Sequence, residues 1–197
     1  MNQQIANIIK VKIEGIDFVD KIAGLVSTTY MNILDAEGNK VQKSFPVACN
    51  TTAEDCIAGA YNDLCPNSKY RTVLYFEDNG VDFNGREGKF ICYTSHLRLV
   101  CWINVARYKA DCCGDVLSCT ASADIIKKIL CALPRQPEYI DPYSKVYPVV
   151  TSQLIRNNSI FSAYTFNETQ TQYLMAPYDY FALNIDTVFC ICMEDCE

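Results

Sequence analysis

His96 is the single histidine of the chain, so any nucleophile–base pair would have to use it. Cys92 precedes it by four residues on the same face of a predicted strand, but no Gly-x-Ser-x-Gly elbow accompanies the pair. Asp78 and Asp82 form a second candidate for proton transfer, although acids in a glycine-rich stretch commonly cap turns. We therefore expect a structural histidine, a small core cysteine at position 92, and no enzyme activity.

A thiolate metal site is the next possibility, because six of the twelve cysteines fall in loose groups. A zinc ribbon needs paired Cys-x2-Cys turns, whereas adjacent cysteines diverge and cysteines two apart on a strand point to one face. We expect buried or loop thiols and no metal, with a disulfide from Cys196 to Cys112, Cys113 or Cys119 left open for an oxidising medium. The six cysteines are Cys112, Cys113, Cys119, Cys190, Cys192 and Cys196.

The glycines at positions 80, 85 and 88 do not form a phosphate-binding loop. Such loops stand before a helix, whereas Gly80, Gly85 and Gly88 fall within a predicted hairpin. The sequence therefore predicts neither a nucleotide site nor any other cofactor.

The charge balance limits the partners of the protein. The chain has 17 Lys and Arg against 23 Asp and Glu, giving a formal net charge of −6. Tight binding to nucleic acid depends on basic side chains that displace counterions, so this composition disfavours a DNA-reading protein. An acidic wall can still line a channel for DNA, because repulsion keeps a passing duplex from adhering.

The composition is that of an ordered globular domain, with 50% hydrophobic residues in a chain of 197. No apolar run approaches the roughly 20 residues that span a bilayer, so we expect a soluble protein without a membrane partner. Residues 1–7 lack the basic and apolar segments of a signal peptide. We therefore expect the thiols to be reduced.

Hydrophobic spacing predicts several elements in the first third of the chain. The N-terminal segment, residues 1–26, mixes two periods, and residues 17–25 are interpreted as helical. Residues 28–34 and 41–48 predict a hairpin around a Gly-Asn turn. A short helix is predicted from Thr52 until Pro66 closes it.

The middle of the chain predicts a long hairpin. Residues 70–76 and 90–108 are rich in β-branched and aromatic side chains, and the polar, glycine-rich residues 77–90 between them are interpreted as a protruding arm. Apolar residues at the odd positions of 97–105 predict a strand buried on one face. Ser122 is predicted to cap a helix that ends near Leu133.

The last third of the chain predicts a proline-punctuated loop at 134–143 and strands at 146–154, 160–166 and 179–192. The fold class that follows is α+β: a single domain, residues 1–197, with a mainly antiparallel sheet, one or two packed helices and a long protruding hairpin.

This order of elements resembles head–tail connector and tail-terminator proteins of tailed phages. The similarity includes a closing strand after a Pro-containing turn, Leu-Met-Ala-Pro-Tyr-Asp-Tyr-Phe-Ala-Leu-Asn-Ile-Asp-Thr-Val-Phe at residues 174–189. The opening Ile-x-Gly-Ile-Asp-Phe-Val-Asp-Lys-Ile-Ala-Gly at residues 13–24 and the richness in Cys and Tyr are similar to virion proteins of crAss-like phages of Bacteroidetes.

The resemblance implies a structural virion protein made in the cytoplasm of a bacterial host. Its subunits would form a cyclic ring in the neck, in contact with portal and other neck or tail proteins, while genomic DNA passes transiently and non-specifically through the lumen. Contacts in such a ring are heterologous, and exposed strands commonly extend a neighbouring sheet. The candidate interface segments are the arm and the 134–147 loop, with candidate contact residues Asn79, Phe83, Asn84, Arg86, Tyr139, Tyr143, Tyr147 and Tyr178.

Two other functions remain open at this stage. One is a cytosolic, non-enzymatic binding module, which would be monomeric or dimeric. The other is a small enzyme that uses His96, which would need a cleft around the imidazole.

Overall fold

Eight strands of the described residues form one mainly antiparallel sheet, and three helices accompany it, so the predicted α+β class is confirmed. The structure is a computed structural model that describes residues 1–34, 37–48, 64–112, 118–141, 144–165 and 171–192. The helices are α1 (Asn2–Glu14), α2 (Val105–Cys112) and α3 (Ser118–Ala132). The strands are β1 (Lys21–Leu34), β2 (Lys40–Ala48), β3 (Thr72–Glu87), β4 (Phe90–Asn104), β5 (Glu138–Asp141), β6 (Ser144–Val146), β7 (Val150–Ile155) and β8 (Tyr178–Cys192).

The strand order is β2-β1-β3-β4-β8-β6-β5, and β7 also pairs with β8. Only the β1–β3 pair is parallel, from Lys21 opposite Val73 to Leu25 opposite Phe76. The centre of the sheet is the β4–β8 pair, which runs from Phe90 opposite Cys192 to Asn104 opposite Tyr178.

The helices cover one face of the sheet. In α1, Ile5, Ile9 and Ile13 recur every four residues, which places them on one side of the helix, and all three are fully buried. They join a core that includes the odd-numbered residues of β4 from Leu97 to Ile103 and the apolar stripe of α3, with Ile125 and Ile129 fully buried. None of the three described helices is long and apolar enough to cross a lipid bilayer.

Aromatic side chains cover the other face of the sheet near the C-terminal end of β4. Trp102 is 1% exposed, stacks on Tyr178 with ring centroids 5.3 Å apart, and donates its indole N–H to the carbonyl of Tyr173 over 2.7 Å. Val100 and Tyr75 are buried beside it. The interpretation of this strand as buried on one face was therefore wrong, because residues 158–164 and 173–178 supply a second layer.

The helix interpreted at residues 17–25 was also wrong. Helix α1 ends at Glu14, and Lys21 already begins β1, because the backbone there pairs with β3. The 28–34 and 41–48 hairpin was confirmed by the antiparallel register from Val26 opposite Ala48 to Leu34 opposite Lys40. The helix predicted from Thr52 lies largely outside the described residues.

Three boundaries near the second half were wrong for local reasons. Strand β4 stops at Asn104, whose side-chain oxygen accepts a hydrogen bond from the amide of Arg107 at 3.2 Å and so caps α2. Ser122 does not cap α3, which begins four residues earlier, and its hydroxyl instead donates to Asp179. The start of the strand predicted at 160–166 instead belongs to a 3₁₀ turn, Asn158–Phe161, capped by Asn157.

The two remaining strand predictions fared differently. The strand predicted at 146–154 is divided into β6 and β7 around Pro148, which has no amide to donate to a ladder. The strand predicted at 179–192 was confirmed as β8.

The predicted central hairpin was confirmed, and its arm consists of paired strand. Strands β3 and β4 stay paired to Glu87 opposite Phe90, with register shifts after Asp78 and after Phe83. Beyond Phe76, β1 no longer pairs with β3, so residues 78–87 form the outer strand of the arm. Asp78 ties the base of the arm to the helix layer, because it accepts a hydrogen bond from the Asn2 amide at 2.8 Å.

Replacement of Ile9 by Ala is expected to lower the free energy of unfolding by about 2–5 kcal/mol, because it leaves a cavity under α1. Val11, on the same helix, is 66% exposed, so Val11→Ala is the matched control and should change that free energy by less than about 0.5 kcal/mol. Urea denaturation followed by circular dichroism measures both. Equal effects of the two substitutions would contradict the placement of α1 on the sheet.

Candidate functional site

A disulfide joins Cys92 of β4 to Cys190 of β8. The two residues lie directly opposite each other in the β4–β8 pair, and their Cα atoms are 4.1 Å apart. The expectation of reduced thiols was therefore wrong for this pair, and Cys92 is more than a small core residue. Sequence spacing gave no indication of the bond, because the two cysteines are 98 residues apart and only the register of β4 on β8 brings them together.

The disulfide lies at the end of the sheet formed by the arm, the N-terminal part of β4, the C-terminal part of β8, β5 and β6. We call this region the distal end. Gly85 of β3 lies opposite Cys92 of β4 and has no side chain to cover the disulfide. A cavity of about 370 Å³ adjoins it there, lined by Asn84–Glu87, Cys92, Tyr147 and Val188. Gly85 has φ of +123°, a conformation that side chains disfavour, so glycine suits both the backbone and the cavity.

A second cavity of about 330 Å³ borders the same disulfide from the side of Cys190. This cavity lies between the arm on one side and β5 and β6 on the other. Its lining residues are Glu87, Gly88, Phe90, Tyr139, Lys145, Tyr147 and Cys190.

Tyr147 bridges the two sides of the distal end. Its backbone is held on β8 by hydrogen bonds with Val188 and Thr187, each 2.7 Å long. Its hydroxyl donates to Glu87 of the arm over 2.9 Å, and Lys145 lies 4.7 Å from the centre of its ring. The hydrogen bond to the Glu87 carboxylate raises the pKa of Tyr147 above its usual value, so the phenol stays protonated.

The fold brings only some of the candidate interface residues together. Asn84, Arg86 and Tyr147 line the first cavity, and Tyr139 joins Tyr147 in the second. Sequence reasoning missed Glu87 and Lys145, whose roles depend on strand register.

The other candidates lie elsewhere. Phe83 is 66% exposed on the arm, and its ring packs edge-on against Tyr93, with the two ring centroids 5.9 Å apart. Asn79 is exposed at the register shift near the base of the arm, and Tyr143 lies outside the described residues. Tyr178 is at the opposite end of the sheet, stacked on Trp102, beside a cavity of about 670 Å³.

His96 lies between two carboxylates on the same face of the sheet as the disulfide. Its Nδ1 is 2.6 Å from Asp186 of β8 and its Nε2 is 3.2 Å from Asp82 of the arm. The hydrogen bond with Asp186 is the main cause of a raised histidine pKa, and Asp82 adds to it. Both ring nitrogens are occupied, so the arrangement favours an imidazolium that ties the arm to β8 over a base with an unshared nitrogen.

The two acids proposed together from the sequence have different roles. Asp78 accepts the amide of Gly80 over 2.8 Å, so it caps a turn as expected. Asp82 was expected to do the same, but it faces His96 instead.

A polar chain crosses the same face between His96 and the aromatic layer. Glu77, Arg98, Asn184 and Gln153 are linked in that order across β3, β4, β8 and β7, with atom separations of 3.5, 3.2 and 3.0 Å. Burial raises the pKa of Glu77, although hydrogen bonds from Tyr164 and Arg98 favour its charged form. These residues pair with each other rather than converge on an open cleft, so they serve to fix the strands.

No protein-family model, no curated protein and no solved structure matches this chain.

The His96 contacts predict a pH-dependent stability. Because the folded pKa is raised above 6.5, the stabilisation is fully present below that pH and is lost as pH rises through the folded pKa. His96→Gln should lower the free energy of unfolding at pH 6 by about 0.2–1 kcal/mol, the range for a partly exposed ion pair, and by less at pH 9. Urea unfolding across that pH range is the measurement. A difference that grows with pH would contradict the ion-pair role.

The disulfide predicts a loss of stability in the oxidised protein when both cysteines are replaced. Cys92→Ser with Cys190→Ser should lower the free energy of unfolding by roughly 2–5 kcal/mol, because the bond closes a long loop of the unfolded chain. Cys131 is exposed, and Cys131→Ser is the control, with an expected change under about 0.5 kcal/mol. Peptide mapping without reductant should recover the Cys92 and Cys190 peptides joined, and recovery of both as separate alkylated peptides would contradict the bond.

Proposed function

We propose that this protein is a non-catalytic assembly subunit that forms a cyclic ring in the neck of a tailed phage, between portal and tail, with DNA in the lumen. The phage assignment is supported by the sequence resemblance. The ring is supported by one observation in particular: the two candidate interface segments lie at opposite edges of the same end of the sheet.

The arm supplies the first edge. Within the described ranges, β3 pairs only with β4 beyond Phe76, so its outer backbone groups face away from the sheet. Val81 and Phe83 on this strand are 44% and 66% exposed. Unpaired strand edges with exposed apolar side chains are common sites of strand addition by another chain.

Strand β5 supplies the second edge. It pairs only with β6 among the described strands, and Tyr139 on it is 69% exposed. A subunit with two different unpaired strand edges can make head-to-tail contacts, in which the arm of one copy pairs with β5 of the next. Such heterologous contacts close into a ring when the rotation between neighbours allows it.

The occupied ring nitrogens of His96 support a binding or structural role over catalysis, because a general base needs an accessible lone pair. The net charge of −6 is compatible with a lumen that repels DNA lightly and lets it slide.

The ring predicts that charges placed on either edge prevent assembly. Phe83→Lys and Tyr139→Lys should each shift the purified protein from a high-order oligomer to smaller species, because lysine opposes edge pairing. Met175→Lys is the matched control, since Met175 is 64% exposed and lies outside both edges. Native mass spectrometry and light scattering over a range of concentrations measure the oligomer.

A mixing experiment separates head-to-tail contacts from a symmetric dimer. Phe83→Lys retains an intact β5 edge and Tyr139→Lys retains an intact arm, so a mixture should give pairs but no rings. Electron microscopy of phage particles that contain the chain should then place it in the neck. A wild-type monomer at all concentrations, unaffected by either lysine, would overturn the ring, and density elsewhere in the particle would overturn the neck assignment.

A further inference from the structure

Three potential metal ligands meet at the distal end. One ligand atom each from Glu87, Cys92 and Cys190 lie within 4.8 Å of one another. Glu87 is exposed, whereas the two cysteines are 6% and 2% exposed. Once the disulfide is reduced, two thiolates and a carboxylate on three strands form a donor set that suits zinc.

The two thiols would stay together without their covalent bond. The β4–β8 ladder pairs residues on both sides of Cys92 and Cys190, from Phe90 opposite Cys192 to Asn104 opposite Tyr178. This backbone pairing keeps the two residues opposite each other, and opposed residues of an antiparallel ladder have Cα atoms about 4.5–5.5 Å apart without any covalent bond. Reduction therefore leaves a pair of adjacent thiols in place.

The surroundings provide the other requirements of a zinc site. Tyr147 donates a hydrogen bond to Glu87 over 2.9 Å, which holds the carboxylate in orientation, as outer partners of metal ligands do. Lys145 lies opposite Cys190 in the β6–β8 register and supplies positive charge that favours thiolates. The cavities beside Gly85 and beside Phe90 leave room for a water ligand.

We propose that Cys92, Cys190 and Glu87 bind one zinc ion when the disulfide is reduced, with water as the fourth ligand. The site is independent of the proposed ring. Two thiols of a reductant donate two electrons and two protons, become a disulfide themselves, and leave Cys92 and Cys190 as thiols. Zinc then displaces both thiol protons to solvent and forms two sulfur–zinc bonds. Exchange with a small-molecule disulfide, which accepts two electrons and is cleaved to two thiolates, re-forms the Cys92–Cys190 bond and releases the ion. The same residues then alternate between a disulfide and a metal site.

The test is the zinc content of the full chain after dialysis against zinc sulfate at neutral pH. The phosphine-reduced wild type should retain one more zinc ion per chain than the oxidised wild type. The oxidised wild type is the primary comparison, because it is folded and has the same sequence. The reduced variant Cys92→Ser with Cys190→Ser should lack the same ion, and Cys131→Ser should retain it.

Competition with a chromophoric chelator then tests the third ligand. Glu87→Gln retains both thiols and should weaken zinc binding by roughly tenfold or more, while Tyr147→Phe should weaken it by about tenfold through the lost hydrogen bond. Equal zinc content in the oxidised and reduced wild type would overturn the site. Wild-type affinity in Glu87→Gln would overturn the assignment of the carboxylate as a ligand.

Discussion

The pairing of β4 with β8 is the constraint on which the rest of the structure depends. It runs over the whole length of both strands and brings together segments that are about half the chain apart in sequence. Every feature described at the distal end uses it. The disulfide needs Cys92 opposite Cys190, and the imidazole of His96 needs Asp186 opposite it. A shift of one residue would move each of these side chains to the other face of the sheet.

The two faces of this ladder carry different kinds of side chain. The helix face is mainly apolar, with Leu97, Leu99 and Ile103 buried in the core that α1 and α3 share. Ser95 is a buried polar exception on this face, and its hydroxyl donates a hydrogen bond to the side chain of Asn2. The opposite face changes along its length, from the aromatic layer around Trp102, through the polar chain and the histidine pair, to the disulfide. Burial of the helix face stabilises the fold, and the second face is where polar contacts fix neighbouring strands and where the arm is tied down.

This arrangement also explains why a chain with one histidine and many cysteines need not be catalytic. Carboxylates occupy both nitrogens of the imidazole, and Glu77 is paired with Tyr164 and Arg98 instead of facing a cleft. The cavities at the distal end adjoin the disulfide, Glu87 and Tyr147. The chemistry proposed for these groups, disulfide exchange and zinc binding, is compatible with the proposed assembly subunit.

The sequence by itself determined the elements whose patterns are local. Four such elements were predicted: the apolar stripe of α3, the β1–β2 hairpin, the central hairpin and β8. Their signals are the spacings of apolar residues along a short stretch of sequence. Residues 17–25 and 160–165 were assigned wrongly, since pairing with β3 and packing in the Trp102 cluster override weak local preferences. The tertiary structure alone decided the disulfide, the Asp82–His96–Asp186 contacts and the Tyr147–Glu87 bridge. Each of these depends on the register between distant strands, and that register follows from the burial of a whole face, which no short stretch of sequence specifies.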